Sequence, residues 1–136
     1  MATTELTKEN FEEVINSHDL VLVDFWAAWC APCRAFAPTF EKVSELYPDA
    51  VFAKVDADAQ QALCASFNIM AIPTLMIFHE RAVVFNEAGA LREKALVKEI
   101  EKLLATSPSD AAARVDPGNS TPGRWPWRRG APRAGA

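Results

Sequence analysis

The amino-acid sequence predicts an α/β fold of three layers, α/β/α, with a central mixed β-sheet. Apolar residues alternate between helical and strand periods over residues 1–106, in an order typical of that architecture. The run over residues 20–26 is almost entirely apolar, as a central parallel strand covered on both faces requires. Cys30 and Cys33 follow this run where a strand gives way to a helix, and functional sites in such sheets lie beyond the carboxyl ends of parallel strands.

Each element is justified by residue spacing. Phe11, Val14 and Ile15 repeat at helical intervals, and Thr7 is the expected N-cap of that first helix. Pro38 lies inside the next helix and should kink it. That helix begins inside the Cys-x-x-Cys segment and is marked by Phe36, Phe40, Val43 and Tyr47. The later predicted elements are a strand over 51–56, a short helix over 59–67, an antiparallel strand pair over 74–78 and 82–85, and a helix containing Leu96, Ile100 and Leu103.

Composition divides the chain into a domain over residues 1–106 and a tail over residues 107–136. The first part carries 9 Lys and Arg against 16 Asp and Glu, whereas the second carries 5 against 2. The tail is rich in Pro, Gly, Ala and Arg and lacks periodic apolar residues, so we expect it to be disordered. Trp125 and Trp127 lie among its arginines, which leaves contact with nucleic acid, an anionic lipid surface or a partner protein open. We expect an exposed tail of no defined role and no nucleic-acid partner.

The start of the chain predicts a cytoplasmic protein. No basic segment followed by an apolar segment is present there, as an export signal would require. No apolar run approaches the roughly 20 residues that a membrane-spanning helix needs, so we expect no membrane association. Three cysteines also fit a reducing compartment better than a secreted disulfide framework.

The Cys-x-x-Cys pair indicates redox chemistry. Unpaired backbone amides at a helix N-terminus favour negative charge, so Cys30 should ionise readily, and Cys33 one turn later can close a disulfide. A zinc site would need four ligands, and the other candidates, Cys64, His18 and His79, are not at ligand spacing, so we expect no metal. A purely structural disulfide is the other alternative, but so short a loop gains little entropy from closure.

Asp24 is a carboxylate in the middle of an apolar strand. Burial without a partner is costly, which suggests that this residue has a role. Desolvation should raise its pKa and let it exchange protons near neutral pH. The alternative is an aspartate turned to water at a strand end.

Several short segments, all in order, make the chain similar to the thioredoxin family. The similarity extends over residues 3–105 and is strong because the segments occur together. They are residues 23–27, the sequence Trp29-Cys30-Ala31-Pro32-Cys33, and residues 37–38, 54–56, 72–75 and 88–90.

The resemblance implies a protein disulfide reductase that works by thiol-disulfide exchange and contributes to electron transport and cell redox homeostasis. Cys30 resembles the nucleophile that forms a mixed disulfide with a target protein, and Cys33 resembles the thiol that resolves it. Asp24 resembles the buried acid that assists deprotonation of Cys33, and Lys54 matches the lysine buried nearby.

The resemblance also implies a substrate surface. The backbone of Ile72 is expected to pair with an extended substrate segment, and the peptide bond before Pro73 is expected to be cis beside the thiols. A strand-starting proline without a function is the alternative. The expected lining of the shallow apolar surface is Trp29, Ala71, Gly89 and Ala90, whereas Trp26 is expected to be structural.

The expected partners are disulfide-containing client proteins and a thioredoxin reductase. That flavin-dependent reductase would supply reducing equivalents from NADPH, so the chain itself binds no cofactor, and we expect a monomer. Two other functions remain open: a specialised oxidant or isomerase, and a chaperone that holds unfolded clients on the apolar surface around Trp29.

The chain departs from the usual family pattern in three places. Ala31, beside Pro32, replaces the usual glycine between the cysteines, so the redox potential should differ from the family value in a direction the sequence does not give. The turn over residues 79–81 lacks the usual glycine, which puts a turn with positive φ in doubt. Cys64 is extra; it is expected in the core, with regulatory oxidation as the alternative.

Overall fold

A five-stranded mixed β-sheet lies at the centre of the fold, in the computed structural model that describes residues 3–115. The elements are β1 Thr3–Glu5, α1 Phe11–Ser17, β2 Leu20–Trp26, α2 Ala31–Ser44, β3 Val51–Asp56, α3 Gln61–Ser66, β4 Thr74–His79, β5 Ala82–Ala88, α4 Glu93–Leu104 and α5 Pro108–Ala113. The strand order is β1-β3-β2-β4-β5, in which β1 and β2 run parallel to β3. Strand β4 is antiparallel to both β2 and β5, so the predicted mixed sheet is confirmed.

The two faces of the sheet pack against two separate hydrophobic clusters. Leu22 of β2 packs on the side of α2 and α4, whereas the neighbouring Val21 and Val23 pack on the side of α1 and α3. Strand β2 is therefore buried on both faces, which explains its nearly continuous apolar sequence. The three predicted layers are confirmed.

Two details near the start of the chain differ from expectation. Strand β1 was not predicted, because three residues that pair with β3 are too few to show a periodic pattern. Thr7 is not the N-cap of α1; that position belongs to Asn10, whose Oδ1 accepts a hydrogen bond from the Thr7 backbone N–H at 2.7 Å.

Helix α2 is shorter than the sequence predicts. It ends at Ser44, so Tyr47 lies beyond it, whereas Pro38 lies inside it as predicted.

The turn between β4 and β5 forms without glycine. Glu80 and Arg81 have φ values of 50° and 71°, in the left-handed region that L-residues rarely adopt. A two-residue hairpin needs positive φ because that backbone twist matches the twist of the flanking strands. The sheet therefore imposes this conformation on two residues that do not favour it.

The expected disordered tail is wrong for residues 108–113, which form helix α5. Ser107 caps this helix by accepting a hydrogen bond from the Asp110 N–H at 3.2 Å, and Pro108 follows in the first turn. Ala111 and Ala112 are buried, so an alanine run too small to look periodic still packs on the core. The rest of the expected tail, including Trp125 and Trp127, lies outside the described residues.

Candidate active site

The two cysteines lie where β2 leads into α2. Cys30 is the N-cap residue of α2, and its Sγ accepts a hydrogen bond from the backbone N–H of Cys33 at 3.2 Å. The two residues form a disulfide across Cα atoms 5.2 Å apart. Both are buried, whereas Ala31 and Pro32 between them are exposed at the start of the helix.

This position favours ionisation of Cys30 when the disulfide is reduced. The first amides of a helix have no partner within the helix and carry partial positive charge. A thiolate at the N-cap accepts one of these amides, so its negative charge is stabilised relative to the neutral thiol. The helix therefore supplies what a nucleophilic cysteine needs.

Asp24 is completely buried in the middle of β2. Neither of its carboxylate oxygens has a hydrogen-bond partner within residues 3–115, so none joins it to a cysteine sulfur. Burial raises the pKa of Asp24 to about 7, and the charge of Lys54 opposes part of that rise. The alternative of an aspartate turned to water is therefore wrong.

Lys54 lies beside Asp24 on the neighbouring strand, where the two residues are partners in the β2–β3 register. Its side chain is half-buried rather than buried, and its Nζ lies 4.8 Å from the centre of the Trp26 ring. The ring of Trp26 therefore holds the ammonium group over its face, which agrees with a structural position for this tryptophan.

The loop before β4 lies against the cysteine pair. The Ile72–Pro73 peptide bond is cis, and the Ile72 carbonyl oxygen lies 3.8 Å from Cys30 Sγ. The N–H of Gly89 donates to the Pro73 carbonyl at 2.8 Å, and its φ of 115° suits glycine. The structure thus brings residues 71–73 and 89–90 to the same edge as the disulfide.

Trp29 precedes the cysteine pair and is 68% exposed. Its indole Nε1–H donates to Asp58 Oδ2 at 3.0 Å, and this aspartate follows β3 at the same edge of the sheet. The Arg34 guanidinium donates to the Ala28 carbonyl at 2.8 Å and so ties the loop to the first turn of α2. Neither Asp58 nor Arg34 is among the residues predicted from the sequence, although the position of Asp58 just beyond a parallel strand was an available signal.

Exposed apolar residues lie in and around the loop before β4. Met70 is 85% exposed beside Ala71, and Ala90 is exposed as well. Contiguous exposed apolar patches, unlike scattered apolar side chains, often mark contact sites.

The third cysteine has different surroundings. Cys64 lies in α3, is half-buried and packs at the margin of the cluster on the α1 and α3 side. Burial raises its pKa, and the negative charges of Asp56 and Asp58 raise it further. In the described part of the chain, no group of three or more His, Cys, Asp or Glu side chains is arranged to hold a metal ion.

Fold and site together define the class of protein: a thiol-disulfide oxidoreductase whose reacting pair lies at a helix N-terminus. The family model described as Thioredoxin matches residues 2–102. The chain belongs to the thioredoxin family. It follows that the protein carries out thiol-disulfide exchange through Cys30 and Cys33, as the sequence predicted.

Individual relatives agree with this assignment. The chain is 52% identical over 99 residues to a protein named putative thioredoxin 2 from Streptomyces coelicolor, covering 73% of this chain and 74% of that protein. It is 36% identical over 107 residues to thioredoxin from Pyropia yezoensis, covering 77% of this chain and all of that one. Among solved structures, Plasmodium falciparum thioredoxin matches with a TM-score of 0.68 at 36% identity, covering 74% of this chain and 98% of the other.

No helix within residues 3–115 combines the length and the apolar character needed to cross a lipid bilayer.

Proposed function

We propose that the protein is a general reductase of protein disulfides in which Cys30 attacks and Cys33 resolves. The Cys30 thiolate attacks one sulfur of a client disulfide and expels the other as a thiolate, forming a mixed disulfide. The Cys33 thiolate then attacks Cys30 Sγ and releases the client's second thiolate. Two electrons pass to the client, and the Cys30–Cys33 bond is left oxidised.

One observation carries these roles: Cys30 occupies the N-cap of α2, and the N–H of Cys33 donates to its sulfur. That arrangement stabilises a thiolate on Cys30 alone, because Cys33 lies inside the helix. The nucleophile and the resolving thiol are therefore distinguished by position.

Asp24 is proposed to accept the proton of Cys33 when the mixed disulfide is resolved. A general base works best when its pKa lies near the working pH. The pKa of Asp24 near 7 and its lack of a hydrogen-bond partner within the described chain support this role. Lys54 on the next strand limits the rise of that pKa.

The client is proposed to bind as an extended segment across the loop before β4. Support comes from the Ile72 carbonyl, which lies 3.8 Å from Cys30 Sγ, and from the exposed apolar surface around it. Trp29 and Ala71 would contact the client on one side, and Gly89 and Ala90 on the other.

Membership of the thioredoxin family supports a wider setting for this reaction. We propose that a flavin-dependent thioredoxin reductase restores the dithiol with electrons from NADPH, that the protein acts as a monomer in the cytoplasm, and that its clients are disulfide-containing proteins rather than nucleic acids or membranes.

The test is reduction of insulin disulfides with NADPH and a thioredoxin reductase. The unmodified protein should turn over, Cys30→Ser should not, and Cys64→Ser should retain turnover because that thiol lies outside the site. No turnover by the unmodified protein, although dithiothreitol reduces its Cys30–Cys33 bond, would overturn the proposed reductase.

A specialised oxidant or isomerase is the second candidate. The chain is 45% identical over 82 residues to a protein named protein disulfide-isomerase A4 from Homo sapiens, although it spans only 13% of that protein's length. Equilibration with glutathione distinguishes the two, because an oxidant has a potential far less negative than about −270 mV. A chaperone that uses only the apolar surface would suppress client aggregation even as Cys30→Ser.

A further inference from the structure

Strand β5 ends the sheet, so one side of its backbone has no neighbouring strand. It is seven residues long, and residues 82–85 are buried and apolar. The opposite edge, β1, is only three residues long. A long apolar edge strand is a template for pairing with another chain, and proteins often cover such an edge.

Helix α5 lies beside this edge. Some of its Cα atoms are within 8 Å of Cα atoms of β5. Ala111 and Ala112 pack into the cluster on the α2 and α4 side of the sheet, whereas Val115 packs against the cluster on the α1 and α3 side. The segment over 111–115 therefore passes from one face of the sheet to the other around the β5 edge.

Helix α5 is short and is held on β5 by side-chain packing. It has six residues, and isolated helices of that length are unstable in water. In the described part of the chain no backbone hydrogen bond joins α5 to β5. A surface groove of about 270 Å3 runs between α5, α4 and β5, with Val84 and Val115 in its lining. Helix α5 also lies beyond residues 2–102, which the family model matches.

We propose that α5 is a displaceable strap over the β5 edge that keeps the protein monomeric, and that its displacement lets β5 pair with β5 of a second copy. The pairing would be antiparallel about a two-fold axis through Phe85. Glu87 would then face Val83, and Asn86 would face Val84, so no like charges oppose each other. This inference rests on the proposed monomeric state and not on the proposed redox roles.

The test compares two full-length variants by sedimentation over a range of concentrations. Ala112→Glu places a charge at a buried position of α5, whereas Ala113→Glu places the same charge at its exposed neighbour. Ala112→Glu should self-associate to a dimer at least about tenfold more tightly than the unmodified protein. Ala113→Glu should behave as the unmodified protein does.

A rescue variant tests whether β5 is the surface that pairs. Adding Asn86→Lys to Ala112→Glu places a charge on the edge strand and should restore the monomer. Insulin reduction should be the same in all of these variants, because the changes lie outside the cysteine site. A dimer that persists with Asn86→Lys would show that another surface pairs and would overturn the proposal.

Hydrogen exchange provides a measurement that does not depend on a buried charge. In the unmodified protein the amides of α5 should exchange faster than those of α4, and Ser107→Ala, which removes the cap, should speed them further. Exchange of α5 as slow as that of α4 in both proteins would show that the strap does not open separately. A monomeric Ala112→Glu with fast-exchanging β5 amides at every concentration would also overturn the proposal.

Discussion

Cys30, at the N-cap of α2, and Cys64, within α3, differ in charge environment as well as in access to water. Cys30 is 4% exposed, yet it occupies a helix N-cap where backbone amides favour a thiolate. Cys64 is the more exposed of the two, yet its pKa is raised by burial and by two nearby carboxylates. The N-cap position thus favours a thiolate on Cys30, whereas burial and the charges of Asp56 and Asp58 disfavour one on Cys64.

The largest expected effect is the difference between replacing Cys33, the proposed resolving thiol, and replacing Cys64, which lies outside the site. Cys33→Ser should remove insulin reduction entirely and accumulate a covalent complex with the client, because the mixed disulfide on Cys30 has no internal thiol to resolve it. Cys64→Ser should accumulate none. Non-reducing gel electrophoresis after mixing each variant, previously reduced, with oxidised insulin measures the complex. Equal trapping by both variants would contradict the distinction between the two sites.

The next effect concerns the carboxyl of Asp24, which is buried in β2. The pKa of Asp24 is higher in the folded protein, about 7, than the usual value of 3.8, so the folded state binds this proton more tightly. The cost to stability is absent below about pH 4, grows as pH rises and is complete above about pH 7. Asp24→Asn should remove a cost of up to roughly 4 kcal/mol.

Urea unfolding of reduced protein at pH 5 and at pH 8 measures this effect. Asp24→Asn should raise the free energy of unfolding more at pH 8 than at pH 5. Asp58→Asn, which changes an exposed carboxylate, is the matched control and should leave the pH dependence nearly unchanged. A gain from Asp24→Asn that is equal at both pH values would show that Asp24 titrates normally.

A smaller effect is the difference in alkylation rate between the two thiols. After reduction, Cys30 should react with iodoacetamide at pH 7 about tenfold faster than Cys64, because a larger fraction of it is thiolate. Mass spectrometry of peptides taken at short times gives both rates in one sample. Faster labelling of Cys64 would show that exposure outweighs the electrostatic difference.

The smallest effect comes from the carboxylates beside Cys64. Asp58→Asn removes one charge that raises the pKa of Cys64 and keeps an oxygen that can accept the Trp29 indole N–H. Alkylation of Cys64 should speed by roughly twofold to threefold, because an exposed charge acts through a strongly screening solvent. Alkylation of Cys30 in the same sample is the internal control. An unchanged Cys64 rate would show that the charge of Asp58 does not contribute to its raised pKa.

Much of the fold and the position of the reacting pair could be predicted from periodicity alone. Strand β2 has the predicted bounds because its two buried faces require a continuous apolar run, and burial of Asp24 follows from its place within that run. The cysteine pair sits where the strand-to-helix change placed it. These features depend on residues that are close together in the sequence. The spacing of apolar residues is therefore enough to predict them.

What could not be predicted depends on contacts between distant segments. The Trp29 indole donates to Asp58 across 29 residues. The position of Asp58 after a parallel strand places it at the functional edge, but no local pattern pairs it with Trp29. The left-handed φ values of Glu80 and Arg81 are imposed by the pairing of β4 and β5 against local preference. Helix α5 was missed because two buried alanines give no amphipathic pattern, although the Ser-Pro start was a capping signal.

The N-cap of α2 is filled by a sulfur atom where most helices place an oxygen. Serine is among the preferred residues at that position, so in the reduced state Cys30→Ser should be at least as stable as the unmodified protein. Most damaging substitutions lower the amount of protein in the cell because they promote unfolding and degradation. Loss of this one sulfur would instead leave an abundant, folded and inactive chain, which protein quality control would have no reason to remove.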